Sequence, residues 1–170
     1  MAITASDLKI YLSGGTSNTD PDASLGGDIS TTELVDNTLH NLFAKVGAAE
    51  ALAGSVKYRG IYIKNTHGTL TYEDAIAYIA TQTTSTDTSA KIAVADEGIS
   101  ASMQTIATED DAPTGEVFYT ADGTANGLAL GNLDAGEYIG VWIERTVTAG
   151  ATAFGSDTLT LGFRGETTDT

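Results

Sequence analysis

Tyr138-Ile139-Gly140-Val141-Trp142-Ile143-Glu144-Arg145-Thr146 reads as a strand with large side chains on both faces, and it holds the only tryptophan. Eighty residues earlier the chain writes nearly the same thing: Tyr58-Arg59-Gly60-Ile61-Tyr62-Ile63-Lys64-Asn65-Thr66. Both stretches follow Tyr-x-Gly-β-branched-aromatic-Ile-charged-x-Thr. Side chains alternate across a strand. One face of the later stretch therefore carries Ile139, Val141, Ile143 and, further on, Val147, while the other carries Tyr138, Gly140, Trp142 and Glu144. The earlier stretch repeats the split, with Ile61 and Ile63 inward and Tyr58, Gly60, Tyr62 and Lys64 outward. If the two strands are neighbours, Lys64 and Glu144 meet across them.

A two-layer sandwich is expected to be polar on its outer face, yet this face holds Tyr58, Tyr62, Tyr138 and Trp142. Three readings compete. Loops or the helical segment cover the rings within one chain; or the rings form a subunit interface, since aromatic clusters are enriched at interface cores; or they make a platform for sugar rings. The third lacks evident acidic or amide partners to grip hydroxyls. The recurrence spans about nine positions, too few to establish a duplication.

Composition supports the strand reading. Thr and Gly are abundant, which suits half-buried pleated surfaces and turns. The 170 residues are long enough to bury a core without staples and are read as one domain, 1–170. There is no cysteine, so neither disulfides nor thiol chemistry are available. Acids outnumber bases 23 to 8, a net charge of −15 that argues against nucleic-acid phosphates as a partner. No apolar run approaches the ~18 residues of a membrane helix, and the N-terminus has no secretory pattern. The chain is therefore expected to be made in a cytoplasm, with no membrane partner.

Leu8-Lys9-Ile10-Tyr11-Leu12 alternates as a first strand, followed by a polar loop that completes residues 1–28. Within it, Asn18-x-Asp20-x-Asp22 offers the first acidic positions of a calcium loop. Ala23 and Ile29 stand where Gly and Glu are needed, so an Asx-and-proline turn is preferred. Leu39, Leu42, Phe43 and Val46 have helical spacing with Thr38 as a cap, which predicts a short helical segment near residues 38–53. From Val56 onward strand patterns dominate: Val56–Asn65, Ala75–Thr81, Lys91–Ala95, Met103–Ala107, Val117–Tyr119, Leu128–Leu133, Glu137–Val147 and Thr158–Phe163. The fold class is all-β, a β-sandwich or jelly-roll-like module of about eight short strands. Residues 167–170 read as a loose tail.

Chemistry is sparse. His40 falls on the helical segment and His67 in a turn, neither at metal-ligand spacing. No Gly-x-Ser-x-Gly, Walker loop or dinucleotide fingerprint occurs. Glu109-Asp110-Asp111 reads as a solvated acidic turn, and Arg145 and Arg164 are expected to pair with nearby carboxylates. No catalytic, cofactor-binding or metal residue is assigned, and the chain is read as a non-enzyme.

Four stretches, taken in order, carry a resemblance. They are Tyr11-Leu12-Ser13-Gly14-Gly15; Asn18-Thr19-Asp20-Pro21-Asp22-Ala23-Ser24-Leu25-Gly26-Gly27; Tyr58–Thr66; and Val141–Ala151. The set resembles small virion structural proteins of tailed bacteriophages, most of all capsid decoration (cement) proteins. That resemblance implies a β-sandwich or jelly-roll module, commonly a homotrimer, bound to major capsid proteins on the outside of the shell and assembled in the host cytoplasm. A tail, baseplate or head-fibre component, or a carbohydrate-binding host-attachment module, is the alternative.

Overall fold

The structure, a computed structural model, describes residues 2–167. Its strands are β1 (Leu8–Leu12), β2 (Gly26–Gly27), β3 (Ser55–Asn65), β4 (Tyr72–Thr81), β5 (Thr88–Val94), β6 (Met103–Thr105), β7 (Leu128–Leu133), β8 (Tyr138–Val147) and β9 (Thr160–Glu166). One helix, α1 (Ala48–Ala53), precedes β3. The expected tail at 167–170 lies outside the described residues apart from Thr167.

Two antiparallel sheets face each other, ordered β1-β3-β8-β5 and β7-β4-β9. The expected inner face is the one that makes this core. Ile61, Ile63, Ile92, Ile139, Val141 and Ile143 of the first sheet pack on Ala75, Ala77, Ile79, Leu130 and Leu133 of the second. The all-β sandwich reading therefore holds. In β4 the register shifts between Tyr72 and Ala75, where Asp74 adopts φ 47° and its N–H is taken by Asn132 Oδ1 at 2.9 Å. The bulge resets the side-chain parity, so Tyr72 and Ala75, three apart, both reach the core. Strand periodicity alone starts this strand at Ala75 because it does not bridge such a slip.

A third, two-stranded sheet, β2-β6, covers the outer side of the first. The first sheet is thus the middle of three layers and is buried on both faces, which is why the centres of β3 (Ile61, Tyr62, Ile63) and β8 (Val141, Trp142, Ile143) carry large apolar residues at consecutive positions. β2 was not foreseen: Gly26-Gly27 reads as loop, yet both residues have positive φ (88° and 78°), and β2 pairs irregularly with Met103 and Thr105.

The short helix expected near residues 38–53 is present at the end of that range: within it, Ala48–Ala53 is α-helical and the part before it is not. Asn37 and His40 have φ of 55° and 59°, left-handed values that no right-handed helix includes. Leu39 is 65% exposed, whereas Leu42 is buried and Phe43 is held beneath two arginines. Leucine spacing suggested a helix face, but the segment instead lies as an irregular cap over one end of the sandwich. Val117–Tyr119, expected as a strand, makes only an isolated bridge from Tyr119 to Ile92.

The outer edge of β1 is closed by residues 30–34: Leu12 N–H donates to Thr32 O at 3.0 Å, Ser30 N–H to Leu12 O at 2.8 Å and Leu34 N–H to Ile10 O at 2.8 Å. Covering an edge in this way removes a template for unwanted pairing.

Candidate functional site

β3 and β8 are antiparallel neighbours in a register that places Ile61 opposite Val141. The repeated motif is self-complementary in this arrangement. Gly60 lies opposite Trp142 and Tyr62 opposite Gly140, so each large ring faces a residue without a side chain. Tyr58 faces Glu144 and Tyr138 faces Lys64 by the same symmetry. Lys64 and Glu144 therefore stand at opposite ends of the pair and do not meet. They occupy equivalent motif positions, which an antiparallel register separates. Glu144 instead lies 3.3 Å from Lys91 Nζ on β5.

The rings are covered by their own chain. Trp142 and Tyr62 have no exposed surface, and with Ala93, Ala95, Met103 and Ile106 they form a second apolar core. Tyr58, Tyr138, Leu25 and Phe118 pack at its margin, half-buried. Tyr62 and Tyr138 meet edge to face at 5.4 Å, and Tyr58 and Phe118 lie tilted at 5.3 Å, spacings at which ring quadrupoles attract. The Tyr62 hydroxyl donates to Gly27 O at 2.5 Å and accepts from Met103 N–H at 2.7 Å, tying β3 to β2 and β6 at once. Burial pushes this hydroxyl up to about 12. Ser13, also fully buried, donates to Gly60 O at 2.8 Å and accepts from Gly26 N–H at 3.0 Å.

Of the three readings of the aromatic face, cover within one chain is the arrangement found. The cover is β2, β6 and the loops beside them, not the helical segment. Trp142 and Tyr62 accordingly offer no surface to a second subunit, and Trp142 offers none to a sugar ring. Their bulk was read as a surplus outside a two-layer sandwich, whereas the third layer makes it interior.

At one end of the same two strands the inward face changes from apolar to charged. Lys57, Arg59 and Arg145 have the parity of Ile61 and Ile143 and point towards the sandwich interior. Lys57 lies 2.7 Å from Glu109 and 3.5 Å from Glu50; Arg145 lies 3.0 Å from Glu50. Arg59, only 1% exposed, contacts Glu109 and lies 3.1 Å from Asp22. Its Nε donates to Leu42 O at 3.2 Å, and Arg145 donates to Ala44 O at 2.9 Å. The Phe43 ring lies 4.7 Å from the Arg145 guanidinium and 5.5 Å from that of Arg59, within cation–π range. Burial opposes ionisation of Glu50 and Glu109. Ser55, Arg145 and Lys57 outweigh it at Glu50, and Lys57 and Arg59 at Glu109, so both carboxyls are held below the usual range.

This network clasps α1, the 42–44 segment, Asp22 and the 109 turn onto β3 and β8. Sequence reasoning paired Arg145 with a carboxylate but read Glu109 as solvated, since nothing local marks an acid whose partners lie 50 residues away. The 18–22 turn has its own internal logic: Asn18 Oδ1 accepts from Asp20 N–H at 2.9 Å and Asp20 Oδ1 from Asp22 N–H at 3.0 Å. Those side chains cap backbone, in keeping with an Asx turn. His67 Nδ1 accepts from Leu70 N–H at 3.0 Å and so serves the turn that contains it.

One acidic grouping went unnoticed in the sequence. Asp96, Glu97 and Glu116 bring carboxylate oxygens within 4.8 Å of one another, although Glu116 is some twenty residues from the other two. Burial, together with Asp96 and Glu97, raises the Glu116 carboxyl above its ordinary value despite a hydrogen bond from Asp96 N–H.

The chain matches no protein-family model, no curated protein and no solved structure.

Proposed function

We propose that this chain is a non-enzymatic structural protein of a tailed-phage virion, a capsid decoration (cement) module that binds outside the shell and bridges major capsid proteins. The observation that supports this reading is where the four stretches of the resemblance meet in the fold. Ser13 of the first bonds Gly60 of the third and Gly26 of the second. A Cβ on Gly26 would stand 3.0 Å from the Trp142 ring of the fourth. The four stretches thus meet at one place, beside the second core.

Such a unit suits a module that must stay rigid on a particle surface, because three layers locked by buried rings resist shearing. On this reading the module acts as a homotrimer, and its subunit and shell contacts use surface other than Trp142 and Tyr62. The test is to compare particles with and without the protein under heat and osmotic shock. Lower resistance in its absence is expected; equal resistance rejects the cement role. Reconstruction of the particle separates this reading from its alternative, a tail, baseplate or head-fibre component, by showing where the density sits.

A further inference from the structure

Residues 35–46 cross one end of the sandwich and, among the described residues, share no backbone–backbone hydrogen bond with anything outside themselves. Their two ends are fixed: Leu34 N–H donates to Ile10 O at 2.8 Å, and Gly47 O accepts from Ala51 N–H at 2.9 Å. Between these points residues 35–40 and 44–46 are exposed, Asn41 and Phe43 are half-buried, and Leu42 alone is buried. The side-chain bonds of Thr38 and Asn41 stay inside the segment, to Asp36 O and Val35 O. Among the described residues, the hydrogen bonds that tie the segment to the body all come from arginines. Arg59 Nε donates to Leu42 O at 3.2 Å and Arg145 Nη1 to Ala44 O at 2.9 Å, while Phe43 lies against both guanidinium groups.

Those arginines are themselves held by carboxylates. Glu50 of α1 fixes Arg145 and reaches Lys57; Glu109 fixes Arg59 and Lys57; Asp22, whose side chain is 59% exposed, adds a contact to Arg59. The segment's own charged and titratable groups, Asp36, His40 and Lys45, are exposed. With Glu50 and Glu109 neutral, Asp22 alone would face Lys57, Arg59 and Arg145. A buried guanidinium without its counter-charge is strongly unfavourable. Turning out to water relieves it, but withdraws the donors from Leu42 O and Ala44 O and the surface against which Phe43 rests.

We propose that residues 35–46 form a strap with a single latch at residues 42–44, and that the strap opens while both cores stay folded once Glu50 and Glu109 lose their charge. Burial raises these two carboxyls, the hydrogen bonds and cations around them lower them, and the net shift is downward. Closure is therefore favoured above the ordinary carboxylate range and is lost as pH falls through the lowered values. Opening is local because the strap takes no part in any sheet. It bares Leu42 and Phe43 beside Val35, Leu39 and Val46, which are already exposed, and so turns a closed end of the sandwich into an apolar one.

The test is fluorine NMR of the full chain with 4-fluorophenylalanine at its four phenylalanines, the resonances being assigned by single Phe→Leu variants. Between about pH 7 and pH 3 the Phe43 resonance is expected to move to its denatured-chain position, with a midpoint below the ordinary glutamate value of about 4.3. The Phe118 and Phe163 resonances and the Trp142 emission should keep their folded values through that midpoint. This titration carries the acid dependence without any substitution. In Glu50→Gln/Glu109→Gln the open Phe43 resonance should be present at pH 7. The latch itself is tested separately at neutral pH, by trypsin cleavage after the exposed Lys45. Cleavage should be at least about tenfold faster in Leu42→Ser/Phe43→Ser, which leaves every charged group in place, because proteolysis follows the population of the open form. A Phe43 resonance that moves only together with Phe118 and Phe163, or that stays folded throughout, overturns the proposal. So does a folded Glu50→Gln/Glu109→Gln variant whose strap is closed at pH 7, or equal cleavage of the Leu42→Ser/Phe43→Ser variant and the unsubstituted chain.

Discussion

Gly60 lies directly opposite Trp142 across β3 and β8, and the same symmetry sets Gly140 opposite Tyr62. The glycines are not turn residues here. They are the space into which the facing layer descends: a Cβ on Gly140 would stand 2.5 Å from Met103 Cγ and 3.0 Å from Ala95 Cβ, and one on Gly60 would stand 3.0 Å from Met103 Cε. One methionine of β6 thus lies over both glycines of the repeated motif.

Gly140→Ala is expected to lower stability by about 1–3 kcal/mol, the usual penalty of forcing an extra methyl into a packed core. Thermal unfolding measures it. Combining it with Met103→Ala should give a loss smaller than the sum of the two single losses, because the neighbours compete for one volume. Strict additivity would mean that the third layer does not rest on this glycine.

Trp142→Ala is expected to cost about 3–5 kcal/mol, as for a ring at the centre of a core rather than on a surface. The tryptophan is the only one in the chain, so its fluorescence reports on the site alone. Emission should be blue-shifted and resistant to acrylamide in the folded protein, and both properties should vanish on unfolding. Quenching as efficient as that of free indole would contradict the second core.

Acid should weaken the clasp at the end of β3 and β8. Glu50 and Glu109 have folded values below their ordinary ones. Their stabilisation is therefore present above the ordinary carboxylate range and is lost as pH falls through the lowered values. The pH dependence of denaturant unfolding measures this. Glu109→Gln should lower stability near neutrality and flatten the acid limb, since it leaves Lys57 and Arg59 without a shared counter-charge.

Alkali acts on a different part of the molecule. Burial pushes Tyr62 and Tyr72 each up to about 12. Their contribution is complete below the ordinary tyrosine value near 10 and is lost as pH rises towards the folded values. Ultraviolet titration of the seven tyrosines should show two that ionise last and together with unfolding. Tyr62→Phe should remove one of them and weaken the link to Met103 and Gly27.

The aromatic contacts are internal, so Tyr58→Ala and Tyr138→Ala are expected to leave the oligomeric state unchanged while lowering the melting temperature. Light scattering beside thermal unfolding separates the two effects. A change in mass with no change in melting would return these rings to an interface role.

The sequence by itself determined the class and the split of its two central strands. Period-two patterning in Tyr58–Thr66 and Tyr138–Thr146 assigns isoleucines to one side and rings to the other, because a strand has no other way to place successive side chains. The same pattern could not say what lies on the ring side, since Gly26 and Gly27 carry no strand signature and the strand read at Met103 does not reveal which face it covers. Leucine spacing around Leu39 looked helical because spacing does not register the left-handed turns at Asn37 and His40. Only the tertiary structure decided that the central strands run antiparallel, which pairs each ring with a glycine and keeps Lys64 from Glu144. It also decided that Glu109 belongs to a buried clasp. Each of these rests on residues far apart in the chain, brought together by the burial of two cores rather than by any local preference.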